Sequence, residues 1–179
     1  EGRLRSESGA EIPLREGIPV FLDEKGMPRR NKWVKWMYNR LAFAYDWMAE
    51  VGWQWSLGGA PLRREAYLEK ITVRPGDRVL ETAVGTGTNL LQLPREAAYF
   101  GVDIAWGMLL RCQEKLRRAG RTAELALADA EALPFWDGMF DVVLHMGGLQ
   151  FFAHPETAVA EMARVARPGG RVWLVDETA

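Results

Sequence analysis

Cysteine is nearly absent: Cys112 is the only one in 179 residues, which excludes an internal disulfide and a cysteine-built zinc site within this stretch and suits a reducing compartment. Histidine is almost as scarce, so imidazole chemistry has two candidates, His145 and His154. Excess charge is lacking too. The 23 Lys and Arg against 24 Asp and Glu leave a net charge of -1, which provides no global field for nucleic acid or anionic lipid. No apolar run approaches the roughly 18 residues of a membrane span, and the polar first residues do not form a secretion signal. A cytoplasmic location is the default expectation. There is no internal repeat and no low-complexity segment. The chain starts at Glu1 rather than Met, which raises the expectation that something upstream is not retained.

What is present is an ordinary globular composition, 48% hydrophobic and 26% charged, enough for one sizeable core. Residues 1–30 are short and punctuated, with Gly9, Gly17 and Gly26 separating Pro13, Pro19 and Pro28 and brief apolar pieces such as Ile18, Val20, Phe21 and Leu22. They read as a small β extension followed by a linker. Across 31–50, Trp33, Trp36, Met37, Leu41, Ala44, Trp47 and Met48 recur at three- and four-residue steps, the mark of an amphipathic helix. Gly52, Gly58 and Gly59 interrupt it, and Pro61 is placed to open a second helix running to about residue 70.

After Arg74-Pro75-Gly76-Asp77 the pattern becomes strand and helix in alternation, which predicts a parallel sheet covered on both faces. Strands are expected near 78–82, 99–103, 122–127, 140–145 and 171–175. Helices are expected at 88–93, 105–119 and 155–166, the last stopped by Pro168-Gly169-Gly170. The division is therefore 1–30 as the extension, 31–76 as N-terminal helices and 77–179 as the α/β core.

The strongest local signal is Val79-Leu80-Glu81-Thr82-Ala83-Val84-Gly85-Thr86-Gly87-Thr88-Asn89, a strand running into a glycine turn and a helix start. Glycine lets the backbone approach a ligand closely, and a helix start offers unpaired N–H groups. Such a turn alone is weak evidence. Asp103 strengthens it, standing at the end of the next strand at about the ~20-residue distance where an acid meets ribose hydroxyls. Dinucleotide binding fits less well, because Leu90 stands where the third small residue of G-x-G-x-x-G belongs.

Five ordered segments carry a family resemblance: Glu81-x-Ala83-x-Gly85-x-Gly87; Gly101-Val102-Asp103-Ile104; residues 128–135, which begin Ala128-Asp129-Ala130; Phe140-Asp141-Val142-Val143-Leu144; and residues 161–170, which end Pro168-Gly169-Gly170. Together they resemble the successive motifs of class I S-adenosylmethionine-dependent methyltransferases, most of all the group containing the ubiquinone and menaquinone C-methyltransferases, in which a pair like Tyr45-Asp46 also precedes the core. The resemblance implies a Rossmann-like fold and S-adenosylmethionine as cofactor. It implies that Tyr45 and Glu81 lie near the methionine end, that Ala83, Gly85 and Gly87 line the cofactor, that Asp103 takes the ribose with Ile104 against the adenine, and that Asp129 and Ala130 meet the adenine amino group. His145 would face the methyl and its acceptor, as cofactor contact and candidate catalytic base. Ala83 replaces the commoner glycine.

Other features admit plainer readings. His154 reads as a helix-start residue, and Arg117, Arg118 and Arg121 as a solvated helix end assisted by the dipole. Five of the eight tryptophans lie between Trp33 and Trp55. The preferred reading is packing on the sheet domain; a sharper one makes the segment a lid supplying an apolar acceptor pocket. The helix carries too few Lys and Arg to favour a membrane surface. Residues 12–22 resemble the tail of a zinc-ribbon-like module without its cysteines, so no metal is implied. The resemblance also implies two strands beyond the fifth that this sequence does not contain. Either the sequence is shortened or a second copy covers the apolar edge as a homodimer. The expected activity is methyl transfer to a small apolar or aromatic acceptor; the rivals are ribosomal RNA methylation, opposed by the neutral charge, and a cofactor-binding module without activity.

Overall fold

The computed structural model describes residues 2–5, 9, 11–42 and 64–176. The chain opens with β1 (Gly2–Arg5), β2 (Glu11–Arg15) and β3 (Ile18–Pro19), an antiparallel sheet in the order β1-β2-β3. This is the expected extension, and it is tied to the rest of the molecule. Ile18 is buried in the same apolar cluster as Val79 and Leu109, and Val20 bridges to Leu127.

Helix α1 (Arg29–Leu41) follows, then α2 (Arg64–Leu68). The rest of the helix expected over 31–50 lies outside the described residues. The inner face of α1 is formed by Asn31, Val34 and Tyr38, with Ala42 buried just beyond it, whereas Trp33 and Trp36 are 56% and 58% exposed. The packed stripe is therefore rotated away from the tryptophans. The cause is close approach: the Gly107 N–H donates to Asn39 Oδ1 at 2.7 Å, and a Cβ at Gly107 would stand 3.1 Å from that of Ala42. Such spacing admits small and polar side chains, not indoles.

The remainder alternates as β4 (Arg78–Thr82), α3 (Thr88–Gln92), β5 (Ala98–Asp103), α4 (Trp106–Arg118), β6 (Glu124–Leu127), β7 (Phe140–Met146), α5 (Pro155–Val165) and β8 (Ala166–Val175). The five strands form a parallel sheet in the order β6-β5-β4-β7-β8. The last strand starts earlier than expected, because Phe140 pairs with Ala166 while Val142 pairs with Arg171, so residues 167–170 bulge between the two registers. Alternation along the strands builds two cores. Val79, Leu125, Val142 and Leu144 pack with Leu109, Cys112 and Leu116 of α4; Leu80, Val102, Ala126 and Val143 pack with Ala158, Met162 and Val165 of α5. Strands sealed on both faces need the near-continuous apolar runs seen here. The order reverses between β4 and β7, and an open α/β sheet offers a crevice outside its carboxyl ends at that point.

Candidate functional site

A cleft of about 730 Å³, counting the solvent open at its mouth, lies there. Its floor comes from Ala83 and Gly85 after β4, Asp103 at the end of β5 with Ile104 beyond it, and Ala128, Asp129 and Ala130 after β6; α1 closes one side with Asn31, Val34 and Tyr38, and Met146, the last residue of β7, is followed by Gly147, Gly148, Phe151 and Phe152.

The turn after β4 is shaped by left-handed backbone. Gly85 has φ +55°, and Ala83 has φ +51° despite its Cβ. That conformation turns the chain so that the Val84 N–H reaches Val102 O at 3.0 Å and the Gly87 N–H reaches Val84 O at 3.0 Å. Gly87 serves packing instead of the cleft: it is not on the wall, and a Cβ there would meet Cys112 Sγ at 2.5 Å.

Asp103 is the best-held group on the wall. Its Oδ2 accepts the Gly85 N–H at 2.9 Å and its Oδ1 the Ala105 N–H at 2.8 Å. Withdrawal from water pushes its pKa up to about 6, against the opposing pull of the Ala105, Gly85 and Ile104 N–H groups. Asp129 is likewise engaged, accepting Asn31 Nδ2 at 3.0 Å and the Glu131 N–H at 3.0 Å. Asn31 also donates to Glu131 Oε1 at 3.0 Å and accepts the Ala153 N–H at 3.0 Å. One buried amide thus joins α1 to the segments after β6 and β7.

Glu81 is buried behind the turn, with its Oε1 accepting from Asn89 Nδ2, and is not among the described wall residues. His145 is also off the wall. On β7 the alternation sends it toward α5 and leaves Met146 to the cleft. It is fully buried, with Nδ1 3.1 Å from Thr82 Oγ1 and its ring edge-on to Phe152 at 5.3 Å between centroids. Burial lowers its pKa, with the Thr82 backbone opposing. The ring meets the wall through Phe152. Tyr45 lies outside the described residues.

Asn31, Tyr38 and the segment 146–152 contribute wall residues that no motif in the sequence singles out. Gly147-Gly148 at the end of a strand was the available signal: both have positive φ, and the Gly147 N–H turns back to Val175 O at 2.7 Å. Asn31 gave no signal, since one amide in a helix reads as an ordinary surface residue. His154 is exposed at the start of α5 as expected. Arg117 and Arg118 pair with Glu114, whereas Arg121 caps the carbonyls of Leu91, Leu93 and Pro94.

With this geometry in place, comparison with known proteins is informative. A family described as a methyltransferase domain matches residues 80–174. Among curated relatives, the ubiquinone/menaquinone biosynthesis C-methyltransferase UbiE of Burkholderia mallei is 36% identical over 149 residues, which take in 81% of this chain. The chain spans 60% of the length of that relative. Among solved structures, the YcgJ protein from Bacillus subtilis superposes with a TM-score of 0.56 at 27% identity, over 59% of this chain and 46% of that one. The [4+2]-cyclase SpnF superposes with a TM-score of 0.67 at 24% identity, over 81% of this chain and 60% of that one, which shows the fold.

Proposed function

Because this chain belongs to the class I S-adenosylmethionine-dependent methyltransferase family, we propose that it binds S-adenosylmethionine in the cleft and passes the methyl group to a small apolar or aromatic acceptor. The residues present fit the group: a carboxylate held at the wall, a turn whose glycine leaves room for a close ligand, and apolar surface on either side. When bound, the sulfonium supplies a methyl that is already strongly electrophilic. The protein's work is then alignment and exclusion of water.

In this reading Asp103 accepts hydrogen bonds from the ribose hydroxyls, Ile104 packs on the adenine, and Asp129 and the Ala130 backbone meet its amino group. Ala83 and Gly85 lie along the cofactor, while Glu81, through Asn89, braces the turn under the methionine end, where Tyr45 also belongs. His145 holds Thr82 and the ring of Phe152 in place. Proton transfer, where an acceptor requires it, falls to groups on the wall, of which Tyr38, Asp103 and Asp129 are the titratable ones among the described residues. Val34, Tyr38, Met108, Met146, Phe151 and Phe152 suit a lipophilic or aromatic acceptor, and the name of the curated relative, a quinone-pathway C-methyltransferase, agrees with such a molecule. Residues 77–179 form the cofactor-binding core of this reading, 31–76 its cover and 1–30 the extension.

The observation that carries the proposal is Asp103, fixed by two backbone donors on the cleft wall. Replacing it with Ala should weaken S-adenosylmethionine by about 1.5 to 3 kcal/mol, roughly 10- to 150-fold, in calorimetry. Unchanged affinity rejects the ribose assignment. The burial of His145 favours one further reading, a cofactor-binding module without turnover. An acceptor screen decides between them, since tight cofactor binding with no methylated product supports the module.

A further inference from the structure

Helix α1 carries five basic residues, Arg29, Arg30, Lys32, Lys35 and Arg40, and no acidic one, in a chain whose net charge is -1. It begins at Arg29 instead of residue 31, which adds two arginines, Arg29 on the outer face, to a helix expected from 31–50 to be too poor in cations for a membrane surface. Its inner face is occupied by the cleft. The opposite face, set by steps of about 100° per residue, gathers Arg29, Lys32, Trp33, Trp36 and Arg40, and all five are exposed. The remaining two cations are turned to the protein, Lys35 to Glu24 and Arg30 to the Gln150 carbonyl. The Arg40 guanidinium lies 5.6 Å from the centre of the Trp36 ring, so cation and indole form one surface.

We propose that this outer face of α1 docks on an anionic membrane surface, with the two indoles in the headgroup layer and Arg29, Lys32 and Arg40 against lipid phosphates. Charge complementarity selects this occupant: positive charge is concentrated on one helix face while the rest of the chain is net negative, and indoles flanked by cations suit the boundary between water and acyl chains. Docking here sets a cleft walled by the other side of the same helix beside the lipid. The proposal stands independently of methyl transfer.

The test is cosedimentation of the full chain with phosphatidylcholine vesicles and with vesicles containing about one-third phosphatidylglycerol, read with tryptophan fluorescence. Binding is expected on the anionic vesicles only, with a blue shift and loss at high salt. Each of Arg29→Gln, Lys32→Gln and Arg40→Gln should lower partitioning about fivefold. Trp33→Ser with Trp36→Ser should abolish the blue shift while leaving the melting temperature and S-adenosylhomocysteine affinity unchanged. Absence of vesicle binding overturns the proposal, as does equal binding to neutral vesicles. Salt-sensitive RNA retention, or self-association removed by the tryptophan variants, each without vesicle binding, assigns the face to another partner and overturns it as well.

Discussion

At the scale of single residues, Ala83 and Asp103 both sit against their intrinsic preferences. A left-handed backbone costs a residue with a Cβ roughly 1–2 kcal/mol, and Ala83 adopts one at φ +51°. Ala83→Gly should therefore raise stability by up to about 1 kcal/mol, part of the relief being offset by the freer unfolded chain. A higher denaturant midpoint at constant slope is the expected readout; no change means the turn carries no strain. Asp103 titrates near 6 because it is withdrawn from water. Its folded pKa is raised, so its own contribution to stability is complete below about 4 and disappears as pH rises through about 6. Cofactor binding runs the opposite way, since the ionised form is the better acceptor for ribose hydroxyls. Affinity should weaken as pH falls below about 6, approaching tenfold per unit, and Asp103→Asn should remove that slope. Calorimetry across pH 5 to 8 checks it, and a flat wild-type profile counts against the role.

Among the elements, α1 is held by hydrogen bonds at both ends of its inner face, through Asn31 and Asn39. Asn31→Ala should cost about 1–3 kcal/mol in thermal or chemical melts, because the partners it leaves are partly buried. It should also weaken S-adenosylmethionine by releasing Asp129, whereas a loss of stability with no change in affinity would separate α1 from the site. The parallel sheet was legible in the sequence: β4 has the expected bounds and β7 exceeds them by one residue, since runs such as Val142-Val143-Leu144 have no other stable use. The wall residues Asp103 and Gly85 were legible because a strand end fixes where the next side chain goes. The direction of α1 was not. Periodicity gives a helix its spacing, but Gly107 on another element decided which stripe could approach, and the tryptophans were left outside. For His145, position near a strand end is visible in sequence, but the face it turns to depends on strand phase. Asp103 and Ala83 show the complement, where chemistry is readable and conformational cost is not.

For the molecule as a whole, the two edges of the sheet differ. The β8 edge carries Val172 and Leu174, 38% and 42% exposed, and of the two covers such an edge admits, further strands or a second copy, we propose the second copy for test. Light scattering should give a dimer mass that Val172→Lys with Leu174→Lys returns to monomer; a wild type that is monomeric at every concentration dismisses the pairing. The β6 edge is already met by the extension, where Val20 bridges to Leu127 and the Phe21 N–H reaches Leu127 O at 2.9 Å. Those two partners leave the ribosome far apart in time. The early segment emerges first and waits for its mate, so a half-made chain exposes an apolar strand with nothing to zip against, the condition in which nascent chains are most prone to aggregate.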